Sequence, residues 1–205
     1  MGAIGRYRKI AREIDFRTLY SYDFRKDDDI FQIFEEHIEG IRKEVPEESI
    51  KYGYKILDKY LDVSDDVDEI LEEHLEKWRL KRLGYPERAF LRLGTTELLF
   101  LDIPDKGRVF IDILDLANCY IGTEESLRFI NGVLSSIYKK HSKDKAEADK
   151  IISNIDIDKY IAENVNKETE STEDLEESNT DEKNTNKNNN QQESKEKIES
   201  SKKSD

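Results

Sequence analysis

Arg6, Arg8, Lys9 and Arg12 stand together near the start of the chain, with no acid before Glu13. In a chain of formal net charge −13 that run is conspicuous. Guanidinium forks and a flexible ammonium are the groups that neutralise phosphates, so the chemistry they suggest is contact with a nucleic-acid backbone. Arg8 and Arg12 are four apart and share a helix face. Arg12, Phe16 and Tyr20 then make one row, which sets an aromatic ring two turns beyond the cations. Unpaired bases need such rings to stack on. The competing reading of Tyr20 is a core tyrosine with a bonded hydroxyl.

Other chemistry is poorly supplied. His37, His74 and His141 are the only histidines, scattered without metal-ligand spacing, and the charged helices around His37 and His74 suggest solvent-facing rings. Cys119 is the single cysteine, which leaves no intrachain disulfide framework and no thiolate metal site. No phosphate-cradling glycine loop, nucleophile elbow or zinc pattern occurs. Carboxylates abound, but on exposed helical faces they read as solvated surface. Catalysis, metal and cofactor are therefore not expected. No apolar run approaches bilayer length, and Met1–Gly5 lacks the apolar core of a secretory signal, so the cytoplasm is the expected compartment.

The elements that must position the cations read as helices throughout. Spacing predicts helices over 6–24, 29–45, 47–61, 64–75 (with Ser64 as cap), 86–99, 109–121 and 123–140. The three prolines, Pro46, Pro86 and Pro104, fall at helix starts or connections. Between them Trp78–Pro86 makes a short basic turn closed by Gly84. Gly94 leaves room for a neighbouring helix. Gly122 suits the left-handed residue that ends one helix, and Thr123 suits the cap of the next. In that next helix Leu127, Ile130, Leu134 and Ile137 form an apolar face. Asn131 and Gly132 interrupt it, and a buried Asn with a close-packing Gly predicts that the helix runs centrally through the fold. No strand pattern and no internal repeat appears.

Composition divides the chain. Residues 1–5 read as a flexible start, 6–140 as one helical domain, and 141–163 as a weak further helix carrying Ile151, Ile152, Ile155 and Ile161. From 164 to 205 aliphatic and aromatic residues nearly vanish, and Asn184–Gln192 is low complexity, so a disordered acidic tail is expected. From His141 onward 11 lysines face 18 acids.

The order of landmarks resembles the NusB family of bacterial transcription antitermination factors. Arg8-Lys9-Ile10-Ala11-Arg12-Glu13 with Leu19-Tyr20 is similar to the family's opening. Trp78 with Leu80 and Leu83 resembles its central segment, and Arg88–Leu93 with Glu97-Leu98 and Ile103-Pro104 its next signature. Glu125-Ser126 with Phe129–Leu134 resembles its most diagnostic one. The resemblance spans residues 6–140. It implies an all-α fold of about seven helices arranged as two packed bundles. It also implies an RNA-binding adaptor that pairs with NusE, a small-subunit ribosomal protein, to bind boxA RNA. That assembly joins other Nus factors on RNA polymerase and suppresses termination, notably on ribosomal RNA operons. By the resemblance Tyr20 and Glu87 correspond to RNA-contacting positions, and Arg12 to part of an arginine-rich start. Trp78, Arg92, Glu97, Phe129, Asn131 and Gly132 read as structural, Arg92 and Glu97 as ion-pair members.

Two departures stand out. The family's Asn-Glu pair reads Ile111-Asp112 here, beside one extra residue near Lys106-Gly107, and Tyr7 and Ile10 thin the arginine-rich start. Weaker RNA affinity without the partner protein is the expectation that follows. Exposed apolar residues between the Arg88 helix and the Phe129 helix are the natural seat for NusE, and self-association through the same surface is compatible with the pattern. A NusB-like domain also precedes the catalytic domain of certain ribosomal RNA cytosine methyltransferases, which need a glycine loop and a nucleophilic cysteine. An adaptor that binds protein without RNA is the third reading.

Overall fold

The computed structural model of the protein describes residues 3–75 and 78–165. Residues 1–160 form one compact unit, and 161–205 a second, described only for its first five residues. The expected disordered tail therefore lies outside the described residues, apart from Asn164 and Val165.

The described residues contain helices and no strand. They are α1 (Ala3–Tyr22), α2 (Ile30–Ile38), α3 (Glu47–His74), α4 (Tyr85–Thr95), α5 (Lys106–Tyr120), α6 (Glu124–His141), α7 (Lys145–Ser153) and α8 (Ile157–Asn164). A 3₁₀ turn at Leu80–Arg82 precedes α4, and a π turn at Thr96–Phe100 prolongs it. Side-chain caps set several starts: Asp29, Asp105, Thr123 and Asp144 each accept a backbone N–H from the first turn that follows. Gly122 takes φ +69°, the one positive φ among the described residues, and so turns the chain from α5 into α6.

The helices form two packed bundles. Helices α1, α2 and α3 enclose Ile33, Phe34, Ile38, Ile56 and Leu57, all buried. Helices α4, α5 and α6 enclose Phe90, Leu91, Ile113, Leu127, Ile130 and Leu134. Helix α1 lies against α4 and α5 as well as its own bundle, and Phe16 stacks on Phe90 with centroids 3.9 Å apart. Such a ring pair contributes about 0.5–1.5 kcal/mol beyond its burial, here at the seam between bundles. Gly94 makes the close approach inside the second bundle. A Cβ there would meet Leu134 and Ile113 at 2.9 Å.

Several boundaries differ from the pattern-based expectation. Helix α1 begins at Ala3, so residues 3–5 are helical rather than a loose start. Helix α2 stops at Ile38, and the chain runs in turns to Pro46, because Gly40 is a poor helix former and Ile41 is not drawn into the core. The helices expected over 47–61 and 64–75 are one helix, bent at Val63 (φ −126°, ψ 17°), and Ser64 caps nothing. Beyond His141 two short helices stand where one was expected.

Candidate nucleic-acid interface

Helix α1 divides its cations between two environments. Arg12 lies on the same stripe as Ala11, Asp15, Phe16 and Leu19, and the stripe is buried. Its guanidinium forks onto Glu97, with Nε donating to Oε2 at 2.6 Å and Nη2 to Oε1 at 2.9 Å. Nη1 donates to Asp112 at 2.5 Å, and Tyr52 Oη donates to Glu97 at 2.6 Å. Arg108 meets the other oxygen of Asp112 at 2.6 Å. Glu97 reaches inward from the π turn that follows α4. Arg12 is thus only 1% exposed, which corrects its assignment as a phosphate contact. Two buried carboxylates need its charge, and a charge left unpaired there costs far more than a solvated one.

Lys9 is half-committed in the same way, 2.6 Å from Asp115 on α5. Arg8 makes no ion pair among the described residues. Its guanidinium rests 5.2 Å from the Tyr52 ring centroid and 5.9 Å from that of Tyr7. Arg6 is exposed. Of the expected cationic cluster, Arg6 and Arg8 therefore remain open to a ligand. The acid at the departing family position, Asp112, faces inward onto Arg12, while Ile111 is half-exposed.

Asp15 sits beside this network, fully buried, and neither carboxylate oxygen finds a hydrogen-bond donor. Burial, with the nearby charge of Glu97, pushes its pKa well above the usual carboxylate range. A second network closes the far end of α1. Arg92 forks onto Asp68 at 2.8 and 2.7 Å and reaches Asp23 at 2.7 Å, while Arg88 donates to Asp23 at 2.5 Å. Burial alone would raise the Asp23 pKa, but Arg92 and Arg88 outweigh it and hold it low.

That network anchors a group of exposed rings. Tyr20 is 38% exposed, Phe24 55% and Tyr85 42%. Phe24 and Tyr85 lie 4.1 Å apart, Tyr20 and Phe24 5.4 Å, and Tyr20 and Tyr85 6.4 Å. The Arg88 guanidinium sits 4.6 Å from the Tyr85 centroid and stiffens it from behind. Beside Tyr20 opens a hollow of about 360 Å³ lined by Phe16, Arg17, His37, Pro86 and Tyr120. Arg17 and Glu13 hold the Tyr120 hydroxyl at 2.7 and 3.0 Å, which fixes the ring at the rim. His37 lies against Ser21 and is half-buried rather than solvent-facing. Sequence reading missed Phe24, Tyr85, Tyr120 and Arg17. Phe24 and Tyr85 pass as ordinary helix-end residues until the fold brings α1 and α4 side by side.

Glu87, in the first turn of α4, accepts a hydrogen bond from Ser126 Oγ at 2.8 Å. Both line a second hollow with Trp78, Arg82, Leu83 and Phe129. Trp78 is 56% exposed there, not a core residue, because Leu75 and Leu80 take the buried places on either side. Asn131 is half-exposed, and Gly132 is exposed with open space where a Cβ would stand. The burial expected of that pair is therefore wrong, although α6 does pack centrally, against α3, α4, α5 and α7. Helix α6 packs through Leu127, Ile130, Leu134 and Ile137, and Gly94 on the opposite helix provides the close approach. The histidines also depart from expectation: His74 and His141, distant in sequence, meet with ring centroids 5.2 Å apart. Cys119 is exposed on α5.

A two-bundle helical scaffold, with buried salt links and an exposed cluster of aromatic rings, is the class of protein these features define. The NusB family model matches residues 9–139, and the chain belongs to the NusB family. It is 56% identical over 140 residues to the transcription antitermination protein NusB of Persephonella marina, covering 68% of this chain and 98% of that protein. Its identity to the corresponding protein of Aquifex aeolicus is 41% over 137 residues, covering 66% and 90%. Among solved structures it resembles antitermination factor NusB in a complex with NusE and dsRNA, at 41% identity and TM-score 0.60, covering 66% of this chain and 98% of that one. It also resembles T. maritima NusB, at 34% identity and TM-score 0.61, covering 68% and 96%. No helix among the described residues is long and apolar enough to cross a membrane.

Proposed function

We propose that the protein is a non-catalytic transcription antitermination factor. With NusE, a small-subunit ribosomal protein, it binds boxA RNA in nascent transcripts, especially of ribosomal RNA operons. It thereby helps assemble an antitermination complex on RNA polymerase in the cytoplasm. Family membership over nearly the full length of the Persephonella protein supports the activity. The observation that carries the RNA-facing surface is the cluster of Tyr20, Phe24 and Tyr85, three large rings that stand side by side and partly exposed. Exposed rings at such spacing offer stacking planes to splayed bases.

Arg6 and Arg8 supply phosphate contacts at the start of α1, Arg17 lines the hollow beside Tyr20, and Arg82 lines the hollow that holds Glu87. Glu87 exchanges its bond from Ser126 for one from a base amino group, which gives sequence preference rather than bulk affinity. The adjoining hollow with Trp78, Leu83 and Phe129 offers apolar surface for NusE beside the RNA. With Arg12 committed inward, few cations remain for phosphate, so the isolated chain binds weakly and the partner supplies the rest.

A mobility-shift assay tests this: labelled boxA RNA, a scrambled control, and the full chain with and without NusE. A boxA-selective complex that tightens with NusE is expected. Equal shifts of boxA and scrambled RNA, or no shift with NusE present, would overturn it.

A further inference from the structure

We propose that Glu73, His74 and His141 form a binding site for one divalent transition-metal ion, and that Zn²⁺ is the ion it takes. His74 is the last residue of α3 and His141 the last of α6, so the fold brings together two helix ends from different bundles. One donor atom from each of the three side chains lies within 4.8 Å of the other two. His141 Nε2 is 3.8 Å from Glu73 Oε2. Tetrahedral zinc with bonds near 2.0–2.1 Å sets its donors roughly 3.3 Å apart, so small side-chain rotations suffice.

The tautomers favour coordination. His74 Nδ1 lies 2.8 Å from the Ile70 carbonyl, which can only accept, so Nδ1 carries a hydrogen and Nε2 is the nitrogen available to a metal. A backbone carbonyl in that place is the usual outer partner of a zinc-bound histidine. His141 Nε2 is shielded from solvent and has no hydrogen-bond partner. A metal ion would satisfy it. The carbonyl ends of two helices also converge here, and their partial negative charge favours a cation.

Two lysines oppose the ion. Lys140 Nζ donates to Glu73 Oε2 at 2.9 Å, and Lys145 Nζ donates to the Lys139 carbonyl at 3.0 Å and to that of Lys140. Glu73 has a second oxygen and a half-exposed side chain, so it can turn to the metal without losing the lysine. Two imidazoles and a carboxylate suit zinc, copper or nickel, and not magnesium or calcium, which prefer all-oxygen shells. Three protein donors leave the fourth position to water. The bound ion would tie α3 to α6 across the bundle seam.

The test uses the full chain, freed of metal by chelation and dialysis, then titrated with zinc against a chromophoric chelator. One equivalent is expected to bind. Either His74→Ala or His141→Gln is expected to cost at least tenfold in affinity, while His37→Gln changes nothing. Since the chain has three histidines, imidazole NMR of the unaltered protein gives a reading that needs no variant. The rings of His74 and His141 shift on zinc addition and that of His37 does not. Zinc binding beyond one equivalent without saturation, equal shifts at all three rings, or unchanged affinity in a folded double variant would overturn the proposal.

Discussion

Arg8 and Arg12 lie one turn apart on the same helix, yet they meet different surroundings. Arg12 is held by Glu97 and Asp112 in the interior, and Arg8 lies against aromatic rings with no acid to claim it. The contrast teaches that a cation's role is decided by what the neighbouring helices present, not by its place in a basic run. Helix α5 offers Asp112 and Asp115 to α1, and these take Arg12 and Lys9. The far end of α1 repeats the division: Asp23 faces inward onto Arg88 and Arg92, while Tyr20 and Phe24 remain in solvent.

Breaking the inward side should have the largest effect. Arg12→Ala strands Glu97 without its counter-charge and leaves Asp112 to Arg108 alone, and it is expected to cost about 3–5 kcal/mol in urea unfolding. Arg8→Ala in the same assay should move stability by less than about 1 kcal/mol. Equal losses in the two variants would erase the distinction between them.

On the outward side, Tyr20→Ala should weaken boxA binding in the presence of NusE by about 1–3 kcal/mol, the worth of one stacked base. Its thermal midpoint should fall by much less than that of Arg12→Ala, because the ring is already 38% exposed. A drop in stability with binding unchanged would return Tyr20 to the core.

The inward side also carries a pH signature. Asp15 has a folded pKa raised by burial, so its contribution is fully present below the ordinary carboxylate value and is lost as pH rises through the raised one. Asp15→Asn removes that loss. Its stability advantage over the parent should be absent near pH 4 and grow toward neutrality, measured as unfolding midpoints across that range. Asp23 runs the other way: its lowered pKa stabilises the fold above the ordinary value and loses that as pH falls. A flat difference for Asp15→Asn between acid and neutral pH would show that Asp15 is not the buried group described.

The smallest effect belongs to salt. Removing one cation that neutralises a phosphate of single-stranded RNA lowers the slope of log affinity against log salt by about 0.7. Arg6→Ala and Arg8→Ala should each remove about one such step, and Lys9→Ala less, since Asp115 already holds Lys9.

Much of this was legible in the sequence. Periodicity alone marked an all-helical body, and Thr123 after Gly122 marked the turn between α5 and α6, because caps and left-handed glycines are local devices. The burial of Arg12 was legible too, had the apolar stripe been followed. Arg12 lies at the helical spacing that continues through Asp15, Phe16 and Leu19, all of them inside. Its partners were not legible, since Glu97 and Asp112 come from other helices at separations of 85 and 100 residues. The same holds for the Tyr20–Phe24–Tyr85 rings and for His74 with His141. Asn131 and Gly132 misled for a different reason: residue type suggested burial, but their helical face looks outward.

The most direct test is crosslinking. The chain and NusE are bound to boxA RNA carrying photoreactive 4-thiouridine, irradiated, and the adducts mapped by mass spectrometry. Adducts at Tyr20, Phe24 or Tyr85, with none at Arg12, are expected. Adducts confined to α3 or α5, with the three rings untouched, would contradict the account.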